Sequence, residues 1–264
     1  MLVSDIECER PTRIPLHITG ALERLPAAPQ SPFLRSLAQQ LLAYPDVAEL
    51  WLRGSLARGD WDRFSDIDLD LHLHSPPWPA EQLRPLLPRG LLSVREATRA
   101  GVASAFEAVF EGGVIVDLDV HAERLGASSG QSGAARWSHR YWVSVLKARK
   151  LVAREQLMVA QLGLGYQRGL VLGAMAQRVG IDVGDPQALN TYALGTLLGK
   201  LALPVATDWA EVMGWPSRNQ GEFLGAIDSL NAAMAALEPG ASTLGSAVRM
   251  LWAGRDYLPG QAPQ

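Results

Sequence analysis

Between Ser31 and Pro45 the apolar residues Phe33, Leu34, Leu37, Leu41 and Leu42 recur at helical spacing, and Ser31-Pro32 supplies an N-cap followed by proline at the first helical position. This pattern predicts one amphipathic helix. A β-type run follows at 47–53 and ends at Gly54-Ser55, after which a short helix is expected to stop near Gly59. A polar loop rich in Asp and Arg leads to a second strand at 66–74, where Ile67, Leu69, Leu71 and Leu73 alternate with Asp66, Asp68, Asp70, His72 and His74. Strand residues two apart point to one face. Asp66 and Asp68 are therefore expected to project into one space while the aliphatic residues pack beneath.

Proline breaks the pattern over 75–90, leaving room for a helical turn or two around 80–87. Two more β-type runs, 105–110 and 114–121, flank Glu111-Gly112-Gly113 and predict a hairpin. On the second run Ile115, Asp117, Asp119 and His121 share a face. GASSGQSG, residues 126–133, is the most linker-like stretch, and helical periodicity dominates after it: roughly 134–160, 163–179, 186–201, 218–237 and 241–256. Residues 1–30 have little periodicity and read as an arm with one short helix near 19–25. The expected organisation is an arm (1–30), an α/β unit (31–125) and a helical bundle (134–264).

At 264 residues, 48% hydrophobic and 19% charged, the chain has a globular composition and length enough for two domains. The net charge of -3 carries no nucleic-acid signal, and the single cysteine, Cys8, excludes an internal disulfide and a cysteine-based zinc site. No apolar run approaches the ~20 residues of a membrane span, and the N-terminus, with Asp5, Glu7, Glu9 and Arg10, lacks a leader-type apolar region. A cytoplasmic protein is expected.

Gly54-Ser55, ten intervening residues, Asp66-Ile67-Asp68-Leu69 and an acid on a later strand resemble the pattern of the DNA polymerase β-like nucleotidyltransferase superfamily over residues 47–121. The resemblance implies an α+β chain, with an N-terminal nucleotidyltransferase domain of mixed sheet and flanking helices and a C-terminal α-helical bundle that binds substrate and nucleotide. Nucleotidyl transfer needs positioning and charge neutralisation rather than covalent chemistry from the protein. Two Mg²⁺ ions ~4 Å apart would take hard oxygen ligands such as Asp66 and Asp68. The third carboxylate is Asp117 or Asp119, ~7 Å apart along one strand face; Asp117 is preferred because the acid comes early on the strand in resembling sequences. Gly54 lets the backbone approach the phosphates, and Ser55 offers its N–H and hydroxyl at a helix N-terminus. Asp70, His72 and His74 read as an open polar face, and Arg58 and Asp62 as loop surface.

In RWSHRYWVSVLKARKLVAREQL, Val143, Lys147, Lys150 and Arg154 fall on one helical stripe, while Trp142, Val145, Leu146 and Val152 supply apolar contacts elsewhere. A solvated basic face is the plain reading. The stretch is also similar to the first helix of the C-terminal domain in streptomycin 6-adenylyltransferases and related antibiotic nucleotidyltransferases, which implies that the three cations meet a triphosphate. Glu107, on the hairpin, is the candidate general base, with Asp117 or Asp119 as substitutes. The expected reaction moves a nucleoside monophosphate, with ATP the favoured donor, to a hydroxyl of a small molecule of aminoglycoside or lincosamide type. Asp208, Glu211, Glu222 and Asp228 are candidate contacts for a polycationic acceptor, and a homodimer is left open. Competing readings are nucleotidylation of a protein, as in toxin–antitoxin systems, and a nucleotide-binding regulatory module without turnover.

Overall fold

The computed structural model describes residues 13–75, 78, 80–97, 102–122, 134–178, 180, 219–238 and 242–254. The chain divides into two compact units, Met1–Gly130 and Gln131–Gln264. The architecture is α+β: a mixed sheet with flanking helices, then helices.

In the first unit, β1 (Ile14–Pro15), β2 (Val47–Arg53), β3 (Ile67–Leu73), β4 (Leu91–Ala97), β5 (Ser104–Phe110) and β6 (Ile115–Ala122) form one sheet in the order β1-β2-β3-β6-β5-β4. β3 and β6 pair in parallel and every other neighbouring pair is antiparallel. β2, the hairpin and α1 (Ser31–Leu42) stand where the periodicity puts them. The N-cap of α1 is Gln30 rather than Ser31, whose hydroxyl instead donates to the Pro26 carbonyl. α2 (Gly54–Arg58) ends at Gly59 with φ 84°, and α3 (Ala80–Leu83) runs into a 3₁₀ turn at Arg84–Leu86.

Two strands were not visible in the periodicity. Residues 13–30, expected as an arm, contribute edge strand β1, and Leu16 and Ala28 enter the core; within the expected short helix only a 3₁₀ turn, Leu22–Arg24, forms. Pro15 fits an edge strand because it has no N–H to donate to the ladder. β4 carries a register shift between Leu91 and Ser93 and buries the adjacent Arg95 and Glu96, so it lacks a clean apolar alternation.

The apolar face holds the core: Leu50, Leu52, Ile67, Leu69, Leu71, Val116, Leu118, Val120 and Phe106 from the strands, with Leu34, Leu37, Ala38 and Leu41 from α1. Its burial is the main stabilising contribution, roughly 1.5–3 kcal/mol for each large aliphatic side chain removed from water. The opposite face carries the polar side chains of every central strand.

In the second unit, α4 (Ala134–Ala153) and α5 (Leu157–Arg178) are joined by Arg154–Gln156, with Glu155 in the left-handed region at φ 57°. The expected helix end at 160 is thus corrected to 153; no Gly or Pro marks this break. α6 (Gln220–Leu237) and α7 (Thr243–Ala253) complete the described helices. The helix expected at 186–201 lies outside the described residues. Trp137, Tyr141, Trp142, Phe223, Ile227, Met234 and Trp252 are buried here. Three of them have polar partners: the Tyr141 hydroxyl donates to Asn231 Oδ1 (2.9 Å), Trp142 Nε1 to Glu238 Oε1 (2.7 Å) and Trp252 Nε1 to Asp228 Oδ1 (2.7 Å).

Candidate active site

Strand register arranges the polar face in rungs. Arg53 on β2 stands opposite Asp68 on β3, Asp68 opposite Asp117 on β6, Asp117 opposite Glu107 on β5, and Glu107 opposite Arg95 on β4. One cross-strand row therefore reads Arg53, Asp68, Asp117, Glu107, Arg95. Asp66 lies just before β3, whose first residue is Ile67, so it belongs to the loop ahead of this row rather than to the strand as expected.

The next rung, toward the C-terminal ends of β3 and β6, pairs Trp51, Asp70, Asp119 and Ala105. Asp70 is 2% exposed and Asp119 5%, so Asp70 belongs to the interior and not to an open polar face. Arg53 reaches from its own rung to both: Nε lies 2.9 Å from Asp70 Oδ1 and Nη2 2.6 Å from Asp119 Oδ2. Arg13 Nη2 approaches the other Asp70 oxygen at 3.2 Å. Two buried carboxylates need such compensation, since an unpaired buried charge is strongly destabilising. The alternation shows Asp70 in the sequence, but its partners lie at the end of β2 and before β1, where no local spacing reveals them.

Gly54 has φ 70°, and a Cβ there would overlap Asp68 Oδ2 and sit 2.9 Å from Asp68 Cγ. The turn thus needs glycine both for its backbone conformation and for the carboxylate packed against it. Ser55 is in the first turn of α2, but α2 has only five residues, and so short a helix adds little dipole beyond its local N–H groups. The loop ahead of Asp66 is pinned: Gln30 Nε2 donates to the Asp62 and Ser65 carbonyls (2.9 and 3.1 Å), and Asp62 Oδ1 accepts from the Phe64 N–H (2.8 Å). Asp62 therefore organises the loop, whereas Arg58 pairs with Asp60 on the exposed surface.

Glu107, expected as an exposed strand residue if not a base, is largely buried, its carboxylate 3.6 Å from Nη2 of buried Arg95. One rung beyond Asp70 and Asp119, the rings of His72 and His121 stack at 4.6 Å. Together with Glu49 and His74 they line a cavity of about 390 Å³. By strand rise the cavity is ~13 Å from the Asp68 rung, at the other end of the sheet. Burial, then the neighbouring His121, lowers the His72 pKa from its ordinary 6.5.

Lys147, Lys150 and Arg154 belong to the second unit. Lys147 is half-buried, Lys150 buried, and Arg154 exposed just beyond α4. Val143 on the same stripe is buried, as are Trp142, Val145, Leu146 and Val152, so the helix is embedded nearly all round rather than presenting a solvated basic face. Of the acids considered for a polycationic acceptor, Asp228 accepts from Trp252 and Glu222 closes a capping pair with Asn219, both structural roles. Asp208 and Glu211 lie outside the described residues.

Among the described residues no three His, Cys, Asp or Glu side chains converge as a ready metal cage. The donor types suit magnesium: register brings the carboxylate-bearing Asp68 and Asp117 side by side, and Asp66 lies just before β3, all hard oxygen donors.

Residues 34–86 match the family model of the nucleotidyltransferase domain. Over this span the first unit is similar to the nucleotidyltransferase domain. The matched span runs from α1 through the 3₁₀ turn after α3 and includes Gly54, Ser55, Asp66 and Asp68. No curated protein matches the sequence. Among solved structures, an aminoglycoside 6-adenyltransferase from Bacillus subtilis is similar at 13% identity and a TM-score of 0.31, over 84% of this chain and 92% of that one. So low a score carries nothing about acceptor or mechanism.

Proposed function

We propose that the protein transfers a nucleoside monophosphate from a nucleoside triphosphate to a hydroxyl of a small molecule. The acceptor oxygen bonds to the α-phosphorus, the bond from that phosphorus to the bridging oxygen breaks, pyrophosphate leaves, and the hydroxyl proton passes to a carboxylate. The observation that supports this most is the register pairing of Asp68 with Asp117 in a nucleotidyltransferase domain whose Gly54 turn packs onto Asp68.

Asp66, Asp68 and Asp117 would hold the divalent cations, with Mg²⁺ the best chemical match. When bound, such ions neutralise the triphosphate and the charge that develops on the leaving oxygens. Gly54 and Ser55 line the approach of the phosphates. Glu107, opposite Asp117, is placed to receive the acceptor's proton, and Asp117 is the alternative. ATP is the favoured donor, and an aminoglycoside or lincosamide is the first acceptor class to test, on the strength of the sequence resemblance at α4. We place the protein in the cytoplasm.

A second reading, nucleotide binding without turnover, draws on the lack of a converged three-donor cluster among the described residues. One experiment separates the two: pyrophosphate release from ATP, GTP, CTP and UTP with Mg²⁺ over a panel of aminoglycosides and lincosamides, with mass spectrometry on the acceptor. The expected result is a nucleotide-sized mass gain on one acceptor class, lost by about 1000-fold or more in Asp68→Asn, as befits loss of a group acting in the transition state. Unchanged turnover in Asp68→Asn would overturn the assignment. Nucleotide binding with no release on any acceptor favours the module.

A further inference from the structure

The rung beyond Asp70 and Asp119 joins three side chains from neighbouring strands: Glu49 on β2 stands opposite His72 on β3, and His72 opposite His121 on β6. With His74 they line the cavity of about 390 Å³, and β2 breaks register between Val47 and Glu49 beside it. Bulges of this kind re-aim side chains and recur next to active sites, and the volume lies in the range of small-ligand pockets. The polar atoms of this rung are acceptors. Glu49 Oε2 accepts from Trp51 Nε1 at 2.9 Å, and that hydrogen bond, outweighing the opposing effect of burial, holds the carboxyl below its ordinary pKa, so it is ionised at neutral pH. His121 Nε2 is buried 3.7 Å from Asp70 Oδ1. A carboxylate on that side draws the ring proton to Nε2 and leaves Nδ1 as the acceptor. Burial, then His121, keeps His72 neutral at pH 7, with one lone pair. Charge points the same way. Arg53 and Arg13 are spent on Asp70 and Asp119, whereas among the described residues Glu49 has no ion pair.

We propose that this cavity is a second binding site, for a small organic amine in its ammonium form, held by Glu49 together with His72 and His121. An ammonium group carries only donors and a positive charge, which complements a rung of acceptors around one uncompensated carboxylate. A metal ion fits less well. Among the described residues no three donors converge on a point. Neighbouring strands lie ~4.8 Å apart, so Glu49 and His121 bracket a width of ~10 Å. Side chains spread over that width suit a molecule several atoms long, with one amine on Glu49 and another toward His121. The stacked rings of His72 and His121, 4.6 Å apart, brace each other as the wall of the site. The rung stands ~13 Å from that of Asp68, so an occupant leaves the site of nucleotidyl transfer open, and the proposal does not rest on that reaction.

The test uses the full ¹⁵N-labelled chain without nucleotide, in buffer containing EDTA, with 1,4-diaminobutane as the probe and nuclear magnetic resonance as the readout. The Trp51 indole N–H resonance, assigned by its absence in Trp51→Phe, reports on Glu49 directly because the two are hydrogen-bonded. A saturable shift is expected in the millimolar range or below. Glu49→Gln keeps an oxygen for Trp51 and removes the charge, and is expected to weaken binding by about tenfold or more, as for loss of one charge-assisted hydrogen bond. His72→Phe keeps a ring on His121 and removes the nitrogens, and is expected to weaken it several-fold. Should His72→Phe fail to fold, Glu49→Gln, nearly isosteric, decides alone. 1-Butanol, uncharged and of the same length, is expected to leave the resonance unmoved. The proposal is overturned by equal affinity in Glu49→Gln, by an equal shift with 1-butanol, or by no shift up to about 20 mM diamine. It is also overturned if ZnCl₂, in buffer without EDTA, saturates the site while the diamine is silent, which would make it a metal site. None of these outcomes depends on whether a nucleotide is turned over.

Discussion

At Gly54 the chain passes from an extended Arg53 into α2 with φ 70°, and the Asp68 carboxylate fills the space a Cβ would need. Either constraint alone could be met by a small shift of backbone or side chain. Together they cannot, because rotating Asp68 away to admit a methyl group takes it from its place beside Asp117, where the proposed cation would sit. Gly54→Ala is therefore expected to lose ~1–3 kcal/mol of stability, the usual cost of a residue forced into a sparsely populated backbone region, and to lose nearly all turnover. Urea unfolding and pyrophosphate release measure the two effects; wild-type rates in Gly54→Ala would show that Asp68 does not need its present position.

The same reasoning applies to elements that meet at close range. A Cβ on Gly173 of α5 would overlap the six-membered ring of Trp137 on α4, and Trp137 is fully buried. Alanine is the better helix former by about 1 kcal/mol, whereas overpacking a fixed core costs roughly 1–3 kcal/mol. The clash wins here because the indole has no free side to move into. Gly173→Ala is expected to lower the denaturation midpoint, and Trp137→Leu in that background to raise it again; a Gly173→Ala protein as stable as the parent would show that the helices can separate at little cost. Elements of this kind differ in how far they could be read from the chain. α1, β2 and the β5–β6 hairpin follow from period 3.6, period 2 and a glycine turn. β4 did not, because Arg95 and Glu96 are both buried on neighbouring positions, and the Arg95 ion pair, at 3.6 Å, is with Glu107 on the next strand. The α4–α5 break did not either, since Glu155 adopts φ 57° without glycine to announce it. The acids of β3 and β6 were legible as residue types sharing strand faces, but the ion pair of Asp119 with Arg53 spans 66 residues, and no local spacing shows it.

At the scale of the whole molecule, the polar face changes character along the strands, from acids beside the Gly54 turn, through acids compensated by arginine, to stacked imidazoles. The last rung links folding to pH. The folded His72 pKa lies below the ordinary 6.5 because burial and His121 disfavour the imidazolium. Near and below 6.5 the unfolded chain binds this proton while the folded chain resists it. Stability from this source is therefore full above the unfolded value and is lost as pH falls through the lower folded one. Unfolding free energies taken between about pH 7.5 and about pH 5 should decline, with a shallower slope in His72→Gln. An identical slope in the variant would assign the dependence to other groups.

The glycine turn between β5 and β6 has a consequence for how the fold is reached. A slip of β6 by two residues against β3 would keep Val116, Leu118 and Val120 inside and the acids outside, so hydrophobic burial scarcely distinguishes the two pairings. The slipped sheet would present Asp119 beside Asp68 and His121 beside Asp70. The Glu111–Gly113 turn, with φ 73° and 79° at its glycines, and the Phe110 N–H bond to the Val114 carbonyl at 2.9 Å hold β6 in register with β5, so such a slip would carry the whole hairpin along β3. A sheet can thus be well folded by every measure of its core and still be assembled one rung out of step, so the seating of the hairpin on β3 decides which β6 carboxylate stands beside Asp68.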